Sequence, residues 1–154
     1  PPNTLKQKVG SGGIPSHLIT RCQQFLENNA VDFVPFATKH LDELADIKNK
    51  IEAKTVDGKT AMARIVNVIM QLKSNGSMFR YQLISMISDV MLRFMENVKT
   101  VNDDFAAILN MYNKILEIIL AKRLQGNGGK EGIALAQELN ASCARYYGKY
   151  NIKI

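Results

Sequence analysis

The chain has 154 residues, of which 46% are hydrophobic and 22% are charged. This length and composition predict one ordinary globular domain and exclude disordered, collagen-like and low-complexity proteins. The longest apolar run, residues 115–121, is interrupted by Glu117, and it falls far short of the roughly 18 residues that a membrane-spanning helix needs. Lys6 and Lys8 are not followed by an apolar segment, so no secretory signal is expected. We therefore expect a cytoplasmic protein that does not enter a membrane.

Lysine and arginine number 20 against 14 aspartate and glutamate residues, which gives a net charge of +6. A positive balance of this kind suits an acidic protein partner or a nucleic acid. The two cysteines, Cys22 and Cys143, lie far apart with no further Cys or His at metal-ligand spacing. Neither a zinc site nor a disulfide framework is predicted, and no cofactor is expected. We expect both cysteines to be buried or half-buried in a reducing compartment.

The hydrophobic pattern is helical almost throughout. Residues 1–13 are rich in Gly, Pro and polar residues, which predicts a flexible leader. From residue 14 to residue 154 we expect a single domain. Because no stretch alternates β-branched and polar residues, the sequence predicts an all-α fold, an antiparallel helical bundle with short connections.

The first helical pattern extends over residues 14–53. Pro35 lies inside it, and because proline interrupts the helical hydrogen bonds we expect a kink or a break within residues 28–35. The Asp-Gly pair within residues 55–59 then predicts a turn.

Four further helices are expected, over residues 60–73, 78–98, 102–124 and 130–147. The polar stretch 74–77 should weaken or interrupt the first of them. Asn102 and the two acidic residues after it predict a capped helix start. The glycine-rich segment 125–129 should end one helix before the last one begins.

Motifs for known chemistry are absent from the sequence. It has no phosphate-binding loop, dinucleotide-binding loop or zinc-protease motif. The two histidines, His17 and His40, are too scattered for a metal cluster, so we expect a solvated His17 and a surface pair of His40 with Glu43. No nucleophile, base and orienting group can be assembled. An enzyme is therefore not predicted.

Met70 departs from the pattern of a core methionine. The buried stripe of its helix is defined by Met62, Ile65, Ile69 and Leu72. Met70 lies about 120° from the centre of that stripe, beside Lys73, Ser74 and Ser77. This position suits either a partly exposed contact surface or a wide core face on which another helix packs.

The segment 71–81 resembles the active segment of histidine phosphotransfer (Hpt) domains, in a variant written H-D-L-K-G-Q-G-G-T-F-G-Y-P-L. The motif lysine, one small residue, two aromatic residues and the apolar position after them have counterparts in Lys73, Gly76, Phe79, Tyr81 and Leu83. Residues 14–15 and 123–129 are similar in style to the same bacterial variant. The resemblance covers residues 14–147, although its specific part is only about a dozen residues.

The resemblance implies a four-helix core with an additional terminal helix, and a place in bacterial two-component signalling. In a phosphorelay, the exposed histidine of such a domain accepts a phosphoryl group from a receiver-domain aspartate or a kinase. Met70 occupies the phospho-acceptor position, and a thioether cannot form the phosphoramidate. The motif Asp, one Gly and a later Gly are replaced by Gln71, Ser74 and Arg80.

What the resemblance implies is therefore a degenerate domain that docks a receiver domain or another signalling protein without phosphotransfer. The expected contact residues are Met70, Lys73, Ser74, Ser77 and Arg80. Met70 would serve as the apolar anchor, and the two cations would face the acidic pocket of a receiver domain.

Two other functions remain open from the sequence. The segment 145–153 interleaves cations with tyrosines, which suits nucleic-acid binding, although the same tyrosines could pack on the bundle. An active phosphorelay protein could instead use His17 or His40. The sequence leaves the oligomeric state and the identity of the partner open.

Overall fold

The computed structural model describes residues 15–28 and 32–152. Those ranges contain six α-helices and no β-strand, which confirms the all-α prediction. The helices are α1 (Ser16–Asn28), α2 (Phe33–Glu52), α3 (Gly58–Met78), α4 (Gln82–Asn97), α5 (Asp103–Ala121) and α6 (Gly129–Lys149). None of these described helices combines the length and hydropathy that a membrane crossing requires. The predicted leader, residues 1–13, lies outside the described residues.

The chain divides into two compact units, residues 1–32 and residues 33–154. Helix α1 belongs to the first unit, and the side chains of Leu18, Ile19 and Cys22 on it are exposed. The prediction that Cys22 is buried or half-buried is therefore wrong. A single domain over residues 14–154 stays a prediction.

The first predicted break is confirmed. Helix α1 ends at Asn28 and α2 begins at Phe33, while residues 29–31 lie outside the described part of the chain. Pro35 lies in the first turn of α2, where a backbone N–H has no helical partner to lose. The ring of Phe33 lies 5.3 Å from the rings of Phe79 and Tyr81, and these aromatic contacts anchor the start of α2.

The helices of the second unit pack around one apolar core. Helix α2 packs on α3 and α5, α4 packs on α3 and α5, and α6 packs on α4 and α5. The largest fully buried side chains are Tyr112, Phe94 and Phe105. The Tyr112 hydroxyl forms a buried hydrogen bond of 2.8 Å with Ser88 Oγ, so this fully buried phenol is paired.

Helix α3 continues through the polar stretch 74–77 and ends at Met78, so the predicted interruption is wrong. Two of the polar side chains support the helix locally. Ser74 Oγ and the Asn75 amide both donate to the carbonyl of Gln71, at 3.2 and 2.8 Å. Both side chains thus bond back to the preceding turn of their own helix, and the helix continues past them.

Gly76 lies where α3 and α4 come into close contact, and a side chain there would have little room. A Cβ at this position would lie 3.0 Å from Ser85 Oγ and 3.2 Å from Ile84 Cβ, so its absence lets α4 approach α3 closely. The chain then reverses within residues 79–81. Helix α4 consequently starts at Gln82 and not, as predicted, at Met78.

The remaining helix ends follow the capping pattern of the sequence. The side chain of Asn102 accepts a hydrogen bond of 2.9 Å from the Phe105 N–H, as predicted. Asp57 caps α3 in the same way through the Thr60 N–H. Gly128 takes a left-handed conformation directly before α6, and the glycine-rich segment therefore separates α5 from α6.

Candidate functional site

Four of the five predicted contact residues lie on one side of α3. Met70, Lys73, Ser74 and Ser77 follow the spacing i, i+3, i+4 and i+7, which places them on one side of a helix. We call these four residues the α3 face. Met70 is 57% exposed, so its side chain belongs to an open surface and not to a wide core face. Ser74 and Ser77 are also exposed, and Lys73 is half-buried.

The opposite side of α3 accounts for this orientation. Ile65, Ile69 and Leu72 are fully buried against the rest of the bundle. Because these three residues fix the rotation of the helix, Met70 must point away from the core. The apolar pattern of the sequence therefore determines which side of α3 faces solvent.

Lys73 is joined to α4 by two contacts. Its ammonium group lies 2.6 Å from a carboxylate oxygen of Asp89, and its carbonyl accepts a hydrogen bond of 2.6 Å from Ser85 Oγ. Arg93 contacts the other carboxylate oxygen of Asp89 at 2.9 Å. The hydrogen bond from Lys73, followed by the charges of Lys73 and Arg93, holds the pKa of Asp89 below its usual value. The group of three thus carries one net positive charge.

The sequence analysis missed Asp89 and Arg93. Their spacing of four residues on a helix is a readable signal for an ion pair. Their position beside Lys73, however, depends on how α3 and α4 pack. That register is set by Gly76 and the turn after it, which the sequence did not predict.

Arg80 lies beyond the α3 face, in the turn between α3 and α4. Its φ angle is 65°, a left-handed conformation that is unusual for a residue with a side chain. Its carbonyl accepts a hydrogen bond of 2.7 Å from the Gly126 N–H, and the Gly126 carbonyl accepts one of 2.8 Å from the Leu83 N–H. These bonds fix the turn against the glycine-rich segment, while the Arg80 side chain is exposed.

Two further methionines are exposed close to this region. Met78, the last residue of α3, is 69% exposed, and Met86 on α4 is 50% exposed. Met86 precedes Asp89 by three residues and therefore shares its side of α4. The neighbouring α4 residues that face inward are Leu83, Ile84 and Ile87.

The two histidines lie away from the α3 face in sequence, and they differ in environment. His17 is exposed on α1. The ring of His40 packs edge-on against Phe36 at 4.5 Å, and its Nδ1 is buried without a hydrogen-bond partner. Burial lowers the pKa of His40, against a smaller opposing effect of Glu43. The predicted surface pair is wrong, because the Glu43 carboxylate contacts the Arg64 guanidinium at 3.4 Å.

The tyrosines at the end of α6 pack on the bundle. Tyr146 is buried with its ring edge-on to Phe94 at 5.1 Å. The hydroxyl of Tyr147 donates to the Phe94 carbonyl at 3.3 Å. The interpretation of these tyrosines as packing residues is therefore confirmed.

The cations of the same segment have carboxylate partners. Lys149 contacts Asp104, and the Tyr150 hydroxyl donates to the same carboxylate at 2.6 Å. The Lys149 bond, followed by that of Tyr150, holds the pKa of Asp104 below its usual value. Arg145 lies 3.1 Å from Glu138, and residue 153 lies outside the described residues. Nucleic-acid binding by this segment stays a prediction.

Reactive side chains are scarce in the part of the chain that the structure describes. No group of three His, Cys, Asp or Glu residues there could hold a metal ion. Burial raises the pKa of the Cys143 thiol to about 11, so this thiol is protonated and unreactive at neutral pH.

Comparison with protein-family models, with curated proteins and with solved structures gives no match for this chain. A functional argument therefore depends on the residues and their geometry. The α3 face and the turn that follows it provide the most specific pattern.

Proposed function

We propose that this chain is a degenerate Hpt-like module that docks a receiver domain, or another signalling protein, without transferring phosphate. The observation that carries this proposal is the exposure of Met70. It is an apolar side chain that the core does not use, at the position where the resembling motif has its phospho-acceptor histidine. The Hpt-like four-helix core is part of the same proposal.

The surroundings of Met70 favour close approach by a partner. Ser74 and Ser77 are small and exposed, so a partner helix or loop could approach the backbone of α3. A flexible thioether adapts its shape to an apolar pocket, and burying such a side chain contributes on the order of 1–3 kcal/mol to association. Met70 would thus act as the anchor of the interface.

The charge of the site suits an acidic partner. The net positive charge of Lys73, Asp89 and Arg93 lies beside Met70, and Arg80 adds an exposed cation in the following turn. Receiver domains carry acidic residues around their phosphorylated aspartate, as the resemblance implies. Charges at the rim of an interface accelerate association and orient the partner.

At three positions that correspond to the resembling motif, the fold explains the type of residue or backbone conformation that the motif has. Arg80 adopts the left-handed conformation that the motif glycine would favour. Gly76 permits the close contact of α3 with α4. Tyr81 is buried against Phe33 at the start of α2. These observations support a common local design but not a retained phosphotransfer activity.

The test is calorimetric titration of the full chain with receiver domains from the same genome, each with and without a phosphoryl mimic. We expect saturable binding to at least one receiver. Met70→Asp should weaken that binding by about tenfold or more, with unchanged helicity by circular dichroism.

Ile133→Asp is the matched control, because Ile133 on α6 is 50% exposed, close to the exposure of Met70. An equal loss of affinity in the two variants would contradict the α3 face as the docking surface. An absence of binding heat with every receiver would contradict the proposal itself.

The role of Lys73 can be separated from that of its ion pair. Lys73→Glu removes a cation that would contact the partner. It also places two carboxylates next to each other, at positions 73 and 89, which destabilises the bundle. The double variant Lys73→Glu/Asp89→Lys re-forms the pair with reversed polarity. Because the double variant still loses the Asp89–Arg93 contact, we expect it to recover only part of the thermal stability that Lys73→Glu loses, and no affinity. Full recovery of affinity would assign Lys73 a structural role only.

The absence of phosphotransfer is tested by incubation with a phosphorylated receiver domain. We expect no acid-labile label on the wild-type chain. Label on His17 or His40 would favour the active phosphorelay alternative. Met70→His asks whether the rest of the site still supports phosphorylation, and an unlabelled variant would show that the surroundings have also diverged.

A further inference from the structure

The methionines fall into classes of exposure. Of the seven, Met91 and Met95 are buried at 0% and 5%, and Met62 and Met111 are partly buried. Met70, Met78 and Met86 are 57%, 69% and 50% exposed. We call these last three the exposed methionines. Large apolar side chains exposed to this extent contribute little to packing in the folded chain.

The exposed methionines lie on the two helices that the Lys73–Asp89 ion pair joins. Met70 precedes Lys73 by three residues on α3, and Met86 precedes Asp89 by three residues on α4. Because the two charged groups are 2.6 Å apart, Met70 and Met86 each lie about one helical turn from the same ion pair, on neighbouring helices. Met78 lies at the end of α3, immediately before the turn to α4.

Thioethers on such a surface react with peroxides. The O–O bond of hydrogen peroxide breaks, one oxygen atom bonds to the methionine sulfur, and the other leaves as water. The sulfur loses two electrons, which reduce the peroxide. The product, methionine sulfoxide, is polar, and reductases convert it back to the thioether.

We propose that the exposed methionines form an oxidant-sensitive modification site, at which hydrogen peroxide converts an apolar surface into a polar one while the bundle stays folded. The core remains intact because Met91 and Met95 are inaccessible to the oxidant. This site does not depend on the docking function. The further consequence, that oxidation removes the apolar anchor Met70 and weakens docking, does rest on the proposed function.

The chain supplies its own controls. Met91 and Met95 lie on the same helix as Met86 but face the core. Met111 is partly buried, and its sulfur accepts a hydrogen bond of 3.2 Å from Ser142 Oγ, which should slow its oxidation relative to the exposed methionines. The order of reaction is therefore set by exposure, and it can be measured within one molecule.

The experiment is a time course with dilute hydrogen peroxide followed by peptide mass mapping. We expect Met70, Met78 and Met86 each to gain one oxygen atom about tenfold faster than Met91 and Met95. Helicity should be unchanged at that stage, and retention on a hydrophobic-interaction column should fall. One exposed methionine reacting as slowly as Met91, or helicity lost while the core methionines are unmodified, would overturn the proposal.

The matched variant is Met70→Leu/Met78→Leu/Met86→Leu, which keeps the surface apolar but removes the oxidisable sulfur atoms. Apart from the exposed thiol of Cys22, which peroxide also oxidises in the wild-type chain, it should show no early gain of oxygen and no change in column retention under the same treatment. A similar fall in its retention would mean that another group accounts for the effect, which would overturn the assignment.

A second arm compares the affinity of reduced and oxidised protein for a receiver domain that binds. Oxidation should weaken wild-type binding by about tenfold and leave the triple leucine variant unchanged. Equal affinities would contradict the effect on docking. If the reduced protein binds no receiver, the docking proposal fails, whereas the peptide map still decides the modification site.

Discussion

The exposed end of α3 and the C-terminal end of α6 combine cations with large apolar or aromatic side chains, and either one suggests a binding surface from the sequence. In the structure the two differ in their apolar component. Met70 on α3 is exposed, whereas Tyr146 and Tyr147 on α6 pack against Phe94. The cations are similar, since Lys73 pairs with Asp89 and Lys149 pairs with Asp104.

This comparison shows that residue type does not identify a binding surface. What matters is whether the rest of the chain already uses the side chain. The tyrosines of α6 close the core beside α4, so they are unavailable to stack on a nucleic-acid base unless the bundle opens. Met70 can be buried by a partner at no cost to the core. The predictions below probe this difference by changing the residues that create it.

Phe94→Ala should have the largest effect, because Phe94 is the ring on which the α6 tyrosines pack. It is 1% exposed and also lies against Phe105, with ring centroids 6.0 Å apart. Its removal leaves a cavity, and we expect the free energy of unfolding to fall by about 3–5 kcal/mol, as measured by urea denaturation.

Met86→Ala is the control for this prediction, because it shortens an exposed side chain on the same helix. Its unfolding free energy should change by less than about 0.5 kcal/mol. Phe94→Leu, which fills part of the cavity, gives an intermediate loss and remains measurable if the alanine variant does not fold. A loss below about 1 kcal/mol in Phe94→Ala would contradict the view that the α6 tyrosines belong to the core.

Gly76 on α3 and Gly148 on α6 allow a second comparison of the two regions. Gly76→Leu should destabilise the bundle by about 1–3 kcal/mol, because the new side chain would push α4 away from α3. Gly148 on α6 has open space around its Cβ position. Gly148→Ala should therefore be neutral or stabilising by up to about 1 kcal/mol in the same urea assay. Similar losses in both variants would contradict the close approach of α3 and α4.

The fold class and most helix boundaries could be predicted from the sequence, because periodicity and capping are local. Asn102 caps α5 as its position in the sequence indicates, and Pro35 falls in the first turn of α2 after a break. The continuation of α3 through residues 74–77 could not be predicted this way. It depends on Gly76 meeting α4, a contact between residues whose pairing is set only in the folded bundle.

The candidate site was predictable to a similar degree. The helical periodicity of α3 places Met70 outside the buried stripe but leaves open a wide core face, and the structure shows that Met70 is exposed. The partner of Lys73 was not predictable, because Asp89 lies on the next helix and the register between the two helices is a tertiary property. The environment of His40 was missed for the same reason, since Glu43 on the same helix contacts Arg64 of α3 instead.

The smallest expected effect concerns Asp89 and Asp104. Asp89 pairs with Lys73 on α3, and Asp104 pairs with Lys149 on α6. In the folded chain, bonds from Lys73 and Lys149 hold the pKa values of Asp89 and Asp104 below the usual 3.8. Each pair therefore contributes its stability above that unfolded-state value and loses it as the pH falls through the lowered folded-state pKa. The contribution should be small because water screens exposed pairs.

Carboxyl chemical shifts followed by NMR across the acid range give the direct measurement. Both carboxylates should titrate below pH 3.8, and Asp89→Asn should make the loss of stability in acid less steep. An Asp104 that titrates at its usual value would mean that Lys149 is not held in the folded chain. Lys149 would then be an unpaired cation at the end of α6. The segment would have a free positive charge for nucleic-acid binding, which the contact with Asp104 otherwise neutralises.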